Sequence, residues 1–447
     1  MITLAPAHAK VIERSAIETA KAIRARETTA LLETESAIAR IEARDGPINA
    51  VVIRDFDRAR HQAREMDRRL ADGDSAVLLG VPMTVKESFD VAGLPTTWGL
   101  ESAKDFVPPS DAVAVKRLKA AGAVILGKTN VPPLLADLQT NNPIHGRTNN
   151  PYNHQRVAGG SSGGGAAALA AGMIALELGS DIGGSIRVPA AFNGVWGHKP
   201  TFAVATPDGH SFPGTDGALG DLWVIGPMAR SADDLSLALD IVADHPLRRA
   251  ATRPAQSYRI LVLNGHPSAR VATPIAAVLD TLADALRTLG VQVDRRTDLL
   301  PDLEAQHRAF MKMLNITIAR GLPQDASPPT TLIEWFSLHD EQARNRRAWS
   351  RLFSHYDAVI TPTLGATAFP HDDTPLRTRL LSIDGDLTPF GEQFAFPGLA
   401  TFPMLPATSV PIGVDPDGLP IGVQVIANTY DDHLAIAVAR LSHDAML

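Results

Sequence analysis

Two serine-containing glycine loops are the part of the sequence best suited to chemistry. Residues 158–165 read AGGSSGGG, and residues 179–190 read GSDIGGSIRVPA, which places Ser161 and Ser185 24 residues apart. Because glycine has no Cβ, backbone N–H groups there can approach a substrate and hold an oxyanion while a serine hydroxyl attacks a carbonyl. A single short motif often matches by chance, but two such loops in one stretch predict a serine hydrolase.

Lys86 is a third element that can take part in this chemistry. It ends an apolar, strand-like run at residues 80–86 (GVPMTVK). A serine nucleophile needs a base, and lysine can serve if its pKa falls from about 10.4 toward neutrality. Burial lowers a lysine pKa because it disfavours the charged form. A lone lysine is usually a surface residue, and it is the two serine loops that favour a buried base here.

Two familiar motifs offer other interpretations of the same region. Residues 159–163 match the nucleophile elbow G-x-S-x-G, which would make Ser161 the nucleophile and one of the 14 histidines its base. The elbow requires a buried strand before the turn, whereas residues 149–153 (NNPYN) are rich in turn formers, so this alternative stays open but less favoured. Residues 122–129 (GAVILGKT) match a P-loop, yet their AVIL core predicts a strand and not a phosphate-binding loop.

The composition gives no support to a metal or redox centre. The chain has no cysteine, which excludes disulfides, thiolate zinc sites and cysteine nucleophiles. Residues 371–373 (HDD) and 431–433 (DDH) lack the helical spacing of metal ligands, and both are interpreted as solvated turns, with Asp432 as a helix cap. We expect no cofactor and no bound metal.

Length and charge restrict the class of partner. The 447-residue chain carries a net charge of −7 and no dense Lys/Arg run, which argues against a nucleic-acid surface. No stretch approaches 18 uninterrupted apolar residues, and residues 1–15 lack the apolar segment of a secretory signal. We expect a cytoplasmic monomer or homodimer that acts on a small molecule, without a nucleic-acid or membrane partner.

The elements that must position these residues alternate along the chain. Residues 10–72 have helical periodicity, and from about residue 78 short β-branched runs alternate with helices. This alternation predicts an α/β fold with a mixed, mostly parallel central sheet covered by helices on both faces. The predicted strands are 77–85, 123–126, 258–263, 291–293, 358–361 and 418–426. The predicted helices are 112–121, 166–173, 233–243, 274–289 and 434–441.

The chain is interpreted as a single domain over residues 1–447, because no repeat, low-complexity tract or long linker interrupts it. Its four parts are N-terminal helices (1–75), a motif-bearing core (78–230), a variable region (240–400), and C-terminal strands with a helix (401–447).

As a set, these motifs resemble the amidase signature family of serine hydrolases. The matching stretches are residues 80–99, 121–130, 146–153, 158–201, 405–413 and 418–425. The resemblance implies the amidase signature fold and a Ser-cisSer-Lys triad. Ser185 would be the nucleophile, Ser161 would follow Gly160 through a cis peptide bond and relay the proton, and Lys86 would be the base.

The resemblance also implies roles for residues around the triad. The oxyanion hole would be formed by the backbone N–H groups of Ile182, Gly183 and Gly184. Gly160, Ser162, Asp181 and Arg187 match supporting positions, and an Asp181–Arg187 contact would stiffen the second loop. The departures from residues common in the family are Gly165, His198 and Glu87, and none of them belongs to the triad.

The reaction implied is cleavage of an amide C–N bond through a serine acyl-enzyme. Family members also include enzymes that cleave esters and carbamates (urethanes), and apolar residues near the motifs favour apolar or aryl substrates. Leu135, Phe192 and Phe212 are predicted to contact the substrate. The alternatives are an amidotransferase subunit that supplies ammonia for aminoacyl-tRNA amidation and an α/β-hydrolase-type esterase that uses Ser161.

Overall fold

A computed structural model describes residues 14–215, 220–319 and 330–447. The prediction about a secretory signal in residues 1–15 falls almost wholly outside these ranges. No helix in the described ranges is both long enough and apolar enough to cross a membrane.

Seventeen strands form within the described residues. In chain order they are β1 Val51–Arg54, β2 Pro82–Lys86, β3 Val124–Thr129, β4 Asn141–Asn142, β5 Gly146–Arg147, β6 Asn149–Asn150, β7 Asn153–Val157, β8 Leu176–Asp181, β9 Trp196–Lys199, β10 Val224–Ala229, β11 Arg259–Val262, β12 Gln292–Asp294, β13 Ala358–Pro362, β14 Leu380–Ile383, β15 Asp386–Pro389, β16 Ala407–Val414 and β17 Pro420–Ile426. Eleven of them join one sheet in the order β1-β3-β2-β8-β10-β9-β16-β17-β13-β11-β12, and the other six form three two-stranded ribbons.

The central sheet is mixed, as predicted, but most of its pairings are not parallel. Strand β2 is parallel to β3 and β8, and β11 is parallel to β12 and β13, while the remaining neighbours are antiparallel. The expectation of a mostly parallel sheet is therefore wrong. One reason is the hairpin β16–β17, whose tight turn at residues 415–418 (DPDG) can join only antiparallel strands.

Twelve α-helices accompany the strands in the described ranges. They are α1 Ala16–Arg24, α2 Ala30–Arg44, α3 Phe56–Ala71, α4 Val113–Ala120, α5 Gly163–Ala170, α6 Arg187–Phe192, α7 Ala232–Val242, α8 Thr273–Thr288, α9 Leu303–Ala319, α10 Leu332–Leu352, α11 Ala395–Thr401 and α12 Asp432–Asp444. Each predicted helix and strand has a counterpart within a few residues. Helices α6, α9, α10 and α11 and strands β1, β4 to β10 and β14 to β16 have no sequence-predicted counterpart, and β1 lies inside the stretch 10–72 that was predicted to be helical.

Alternating side chains of the inner strands bury both faces of the sheet. In β3, Ile125 packs into the apolar cluster beneath α4, α7, α8 and α12, whereas Val124 and Leu126 pack into the cluster beneath α2, α3, α5 and α6. Successive side chains of a strand point to opposite faces, so helices cover the sheet on both sides. The two serine loops lead into α5 and α6, which share the second face.

Candidate active site

Lys86 lies on the face of the sheet that α5 covers. Its neighbours Met83 and Val85 point into the opposite cluster, so the pleat directs Lys86 toward the serine loops. The side chain is fully buried, and its Nζ donates hydrogen bonds to Ser161 Oγ (2.7 Å) and Ser180 Oγ (2.9 Å).

Burial lowers the pKa of Lys86 to about 7, although the charges of nearby carboxylates oppose this shift. The neutral amine is therefore the main form just above neutral pH. A general base works best when its pKa is near the operating pH, so Lys86 meets the electrostatic requirement for that role.

Ser161 is held next to Lys86 by a loop that only glycine can form. The Gly160–Ser161 peptide bond is cis, as the resemblance implied. A Cβ on Gly160 would lie 2.5 Å from the carbonyl oxygens of both Asp137 and Gln139, so the loop has no room for any side chain there. Ser161 itself is 1% exposed.

The two serine loops are joined through their backbones. The N–H of Ser162 donates to the carbonyl oxygen of Ser185 at 3.1 Å, and Ser162 Oγ donates to the carbonyl oxygen of Ser180 at 3.3 Å. Ser185 is 4% exposed at the turn between β8 and α6. The structure thus brings Lys86, Ser161 and Ser185 into one buried site.

Asp181 and Arg187 form the buried ion pair that was predicted to stiffen the second loop. Arg187 donates from Nη2 and Nε to the Asp181 carboxylate at 2.8 and 3.0 Å, and both side chains have no exposed surface. The remaining guanidinium N–H groups donate to Pro397 O, Thr401 Oγ1 and Gln424 Oε1. Burial would raise the pKa of Asp181, but the charge and hydrogen bonds of Arg187 outweigh it and lower the pKa to about 2.

The Asp181 carboxylate also organises the backbone of the second serine loop, residues 179–190. It accepts hydrogen bonds from the N–H groups of Gly184 (2.9 Å) and Ile186 (3.1 Å). The N–H of Gly184 is therefore already engaged. Among the described residues, the N–H groups of Ile182 and Gly183 have no hydrogen-bond partner and remain available to an oxyanion.

Arg187→Met is expected to destabilise the fold by about 3–5 kcal/mol, because it leaves the Asp181 carboxylate buried without its charge partner. Urea unfolding monitored by far-UV circular dichroism measures this change. The matched control is Arg68→Met, which removes an ion pair to Glu65 whose two side chains are 65% and 47% exposed and should change stability little. Equal effects of the two substitutions would contradict the structural role of Arg187.

The three residues predicted to contact substrate lie in two different places. Leu135 and Phe212 pack in one small cluster with Trp98, whose ring centroid is 6.0 Å from that of Phe212. Phe192 is 1% exposed in α6 and packs edge-on against Phe369, 5.9 Å away, in a separate cluster. The structure therefore brings Leu135 and Phe212 together and leaves Phe192 apart from them.

Trp98 connects this aromatic cluster to the residues that follow β2, the strand that ends at Lys86. Its backbone N–H donates to Glu87 Oε2 (3.0 Å), and its Nε1 donates to the carbonyl oxygen of Ser88 (3.2 Å). Glu87 and Ser88 follow Lys86 directly, so Trp98 is fixed to the segment that carries Lys86. Trp98 lies in the motif-bearing stretch 80–99 but was not predicted as a site residue, because the motif does not show that its side chain packs with Leu135 and Phe212.

Of the two acidic–histidine clusters, residues 371–373 lie half-buried to exposed outside any helix or strand, whereas residues 431–433 differ from the prediction. Within the described ranges, no group of three or more His, Cys, Asp or Glu residues could hold a metal ion. Asp432 is not a solvated helix cap, since it is fully buried, contacts His198 Nε2 at 3.2 Å, and accepts hydrogen bonds from both the N–H and the hydroxyl of Thr201. Asp432 therefore fixes α12 against the end of β9.

The chain is similar to known proteins over nearly its whole length. The family model described as Amidase matches residues 33–322 and 304–436. Fatty-acid amide hydrolase 2-A of Danio rerio is 31% identical, over 95% of this chain and 87% of the relative. The indoleacetamide hydrolase of Bradyrhizobium diazoefficiens is 31% identical, over 95% of this chain and 85% of the relative.

Two further similarities bear on function and fold. A glutamyl-tRNA(Gln) amidotransferase subunit from Deinococcus deserti is 32% identical, over 96% of each chain. The crystal structure of a bacterial aryl acylamidase superimposes with a TM-score of 0.84 at 25% identity, covering 97% of this chain and 96% of that one. The chain therefore belongs to the amidase signature family.

Proposed function

We propose that this amidase cleaves its substrate through Ser185, with Ser161 and Lys86 as the proton relay. The hydrogen bond from Lys86 Nζ to Ser161 Oγ, 2.7 Å long in a fully buried site, is the observation that carries the proposal. A buried amine whose pKa is about 7 can accept a proton that a surface lysine could not.

The first half-reaction forms the acyl-enzyme. Ser185 Oγ attacks the carbonyl carbon while its proton passes to Ser161, whose own hydroxyl proton moves to Lys86 Nζ. The oxyanion accepts hydrogen bonds from the N–H groups of Ile182 and Gly183, while Gly184 holds the loop through Asp181. When the C–N bond breaks, Lys86 returns the proton through Ser161 to the leaving nitrogen, and water then hydrolyses the Ser185 ester by the same relay.

Apolar or aryl amides are the proposed substrates, and esters and carbamates with similar groups are proposed as further ones. The cluster of Trp98, Leu135 and Phe212 supports this proposal, because it is attached to the segment after Lys86 and consists of apolar and aromatic side chains. Among similar proteins, one is named an aryl acylamidase and another a fatty-acid amide hydrolase. Both names describe amides with apolar groups.

Simple observations distinguish the proposed function from two alternatives, an amidotransferase subunit and an esterase. An amidotransferase function is favoured by the 32% and 31% identity of two such relatives to this chain, and turnover of a small amide without any partner chain would argue against it. The esterase alternative needs a histidine base for Ser161. Among the described residues, Ser161 Oγ is hydrogen-bonded to Lys86 and to no histidine.

Labelling with a fluorophosphonate followed by peptide mapping tests the proposal. We expect an adduct on Ser185 that forms much more slowly in Lys86→Ala, while the exposed control Ser36→Ala labels at the wild-type rate. An adduct on Ser161 would support the elbow-type esterase instead. Absence of any adduct on protein that turns over a small amide would refute a serine acyl-enzyme.

A further inference from the structure

Glu177 is a buried carboxyl group that the proposed mechanism does not use. It lies in β8, opposite Thr84 of β2 in the parallel register, and it is 1% exposed. Its neighbours Leu176 and Leu178 point into the cluster on the far face of the sheet. The pleat therefore directs Glu177 to the same face as Thr84 and Lys86.

Two hydrogen bonds hold the carboxyl group of Glu177 on the face of the sheet that also carries the Lys86 side chain. Thr84 Oγ1 donates to Oε2, and Thr129 Oγ1 donates to Oε1 at 2.7 Å. Thr129 is the β3 residue that pairs with Lys86. The carboxyl group thus lies beside β2, which ends at Lys86, and beside β3. Within the described ranges, no arginine or lysine makes a hydrogen bond to it.

Helix α5 closes over this carboxyl group at Gly165. A Cβ on Gly165 would lie 2.5 Å from Cγ and 2.9 Å from Oε1 of Glu177. A side chain at position 165 would therefore displace Glu177. The glycine at this position leaves the space that the glutamate side chain occupies. Because α5 begins just after Ser161, the same contact fixes Glu177 relative to the relay serine.

We propose that Glu177 is a positioning residue whose carboxylate is the counter-charge of the Lys86 ammonium that forms when Ser161 gives up its proton. This inference rests on the proposed function. The carboxylate favours the protonated lysine through space, so it strengthens the base at the moment of proton transfer. It also makes Lys86 hold its resting proton more firmly, which sets how far the pH must rise before the enzyme becomes active.

The charges around Lys86 come from several elements. Asp181 at the end of β8, Glu177 within β8 and Glu87 after β2 raise the pKa of Lys86, while burial has the larger, opposite effect. Burial raises the pKa of Glu177, whereas the hydrogen bonds from Thr84 and Thr129 and the positive charge of Lys86 lower it, so the carboxylate form is favoured when Lys86 is protonated. The loop residue His210, whose pKa is lowered to about 3 by burial and by Lys86, is neutral throughout the range considered.

The experiment is the pH profile of kcat/KM, from about pH 5.5 to about pH 10, for wild type and Glu177→Gln. Glutamine keeps the shape but cannot carry the charge, so the midpoint of the acid limb should move down by about one pH unit. On that limb kcat/KM should rise by up to about tenfold, and the alkaline plateau should fall because the base is weaker. The matched control, Glu101→Gln on the surface, should leave the profile unchanged.

Thr129→Val provides a second, milder variant that decides the question if Glu177→Gln does not fold. It removes one hydroxyl that stabilises the carboxylate, so its midpoint should move in the same direction by less. A uniform fall in kcat/KM at every pH with an unchanged midpoint would show a purely structural role and overturn the inference. If instead the wild type had no acid limb, or Ser185→Ala stayed active, the proposed triad would fail, and the role of Glu177 that rests on it would fail with it.

Discussion

Ser185→Ala should lower kcat for any amide substrate by about 10⁴-fold or more, because no covalent intermediate can form without the hydroxyl. Steady-state turnover of an aryl amide, with the product amine quantified by chromatography, gives the measurement. The buried loop should keep its structure, because Asp181 holds it through the backbone N–H groups of Gly184 and Ile186 and not through the Ser185 side chain. Loss of activity without loss of fold is thus the specific expectation.

Ser161→Ala provides the internal comparison. It removes the relay but leaves the nucleophile and the oxyanion donors, so a small residual activity should remain. Thermal unfolding of both variants should match that of the wild type to within a few degrees. Full activity in Ser185→Ala would contradict the role of Ser185 as the nucleophile. If Ser161→Ala were completely inactive at the same time, the assigned roles of the two serines would be reversed.

Lys86→Met carries the second large effect. Removing a positioned general base typically costs about 10²–10⁴-fold in rate. The wild-type kcat/KM should rise with pH through about 7, as Lys86 loses its proton, and this inflection should vanish in the variant. An inflection near pH 7 that survives in Lys86→Met would assign the acid limb to another group.

The same substitution should make the protein more stable. The folded-state pKa of Lys86 is depressed from 10.5 to about 7 by burial, so the unfolded chain binds more protons between these values and wild-type stability rises as pH rises through this window. Methionine has no charged form, so its burial does not lower the free energy of unfolding in this way. The gain in the urea midpoint should therefore be largest at about pH 7 and should diminish toward about pH 10, and a gain that did not depend on pH would contradict a lysine that is neutral in the fold.

Local sequence motifs identify the three residues that are proposed for the catalytic centre. Ser161, Ser185 and Lys86 each lie in a run whose glycines or apolar neighbours indicate a loop or a buried strand, and the contact between Asp181 and Arg187 spans only six residues. The antiparallel half of the sheet was not predicted, because β9, β10 and β16 carry turn-forming or polar residues that weaken the strand pattern. Pairing partners far apart in the chain fix those strands.

Long-range contacts also explain which site residues escape prediction. Glu177 reads as one polar residue in an apolar strand, and only the fold shows that Thr84 and Thr129, 93 and 48 residues away, surround its carboxyl group. Trp98 is similar, since its position depends on hydrogen bonds to Glu87 and Ser88 across a loop. Phe192 shows the opposite case. It is close to a motif in the sequence, but in the fold it lies in a different cluster from Leu135 and Phe212.

The surroundings of Gly183 bear on how substrate range could change. A Cβ at this position would lie 3.2 Å from the Phe394 ring and 3.8 Å from Leu314. These two side chains belong to segments more than a hundred residues beyond the triad, in the part of the chain where no family motif was identified. Mutational libraries confined to 310–318 and 390–396 would therefore vary the side chains that pack against Gly183 while leaving the proposed nucleophile, relay and base unchanged. New acyl preferences could then be selected without altering the proposed catalytic residues.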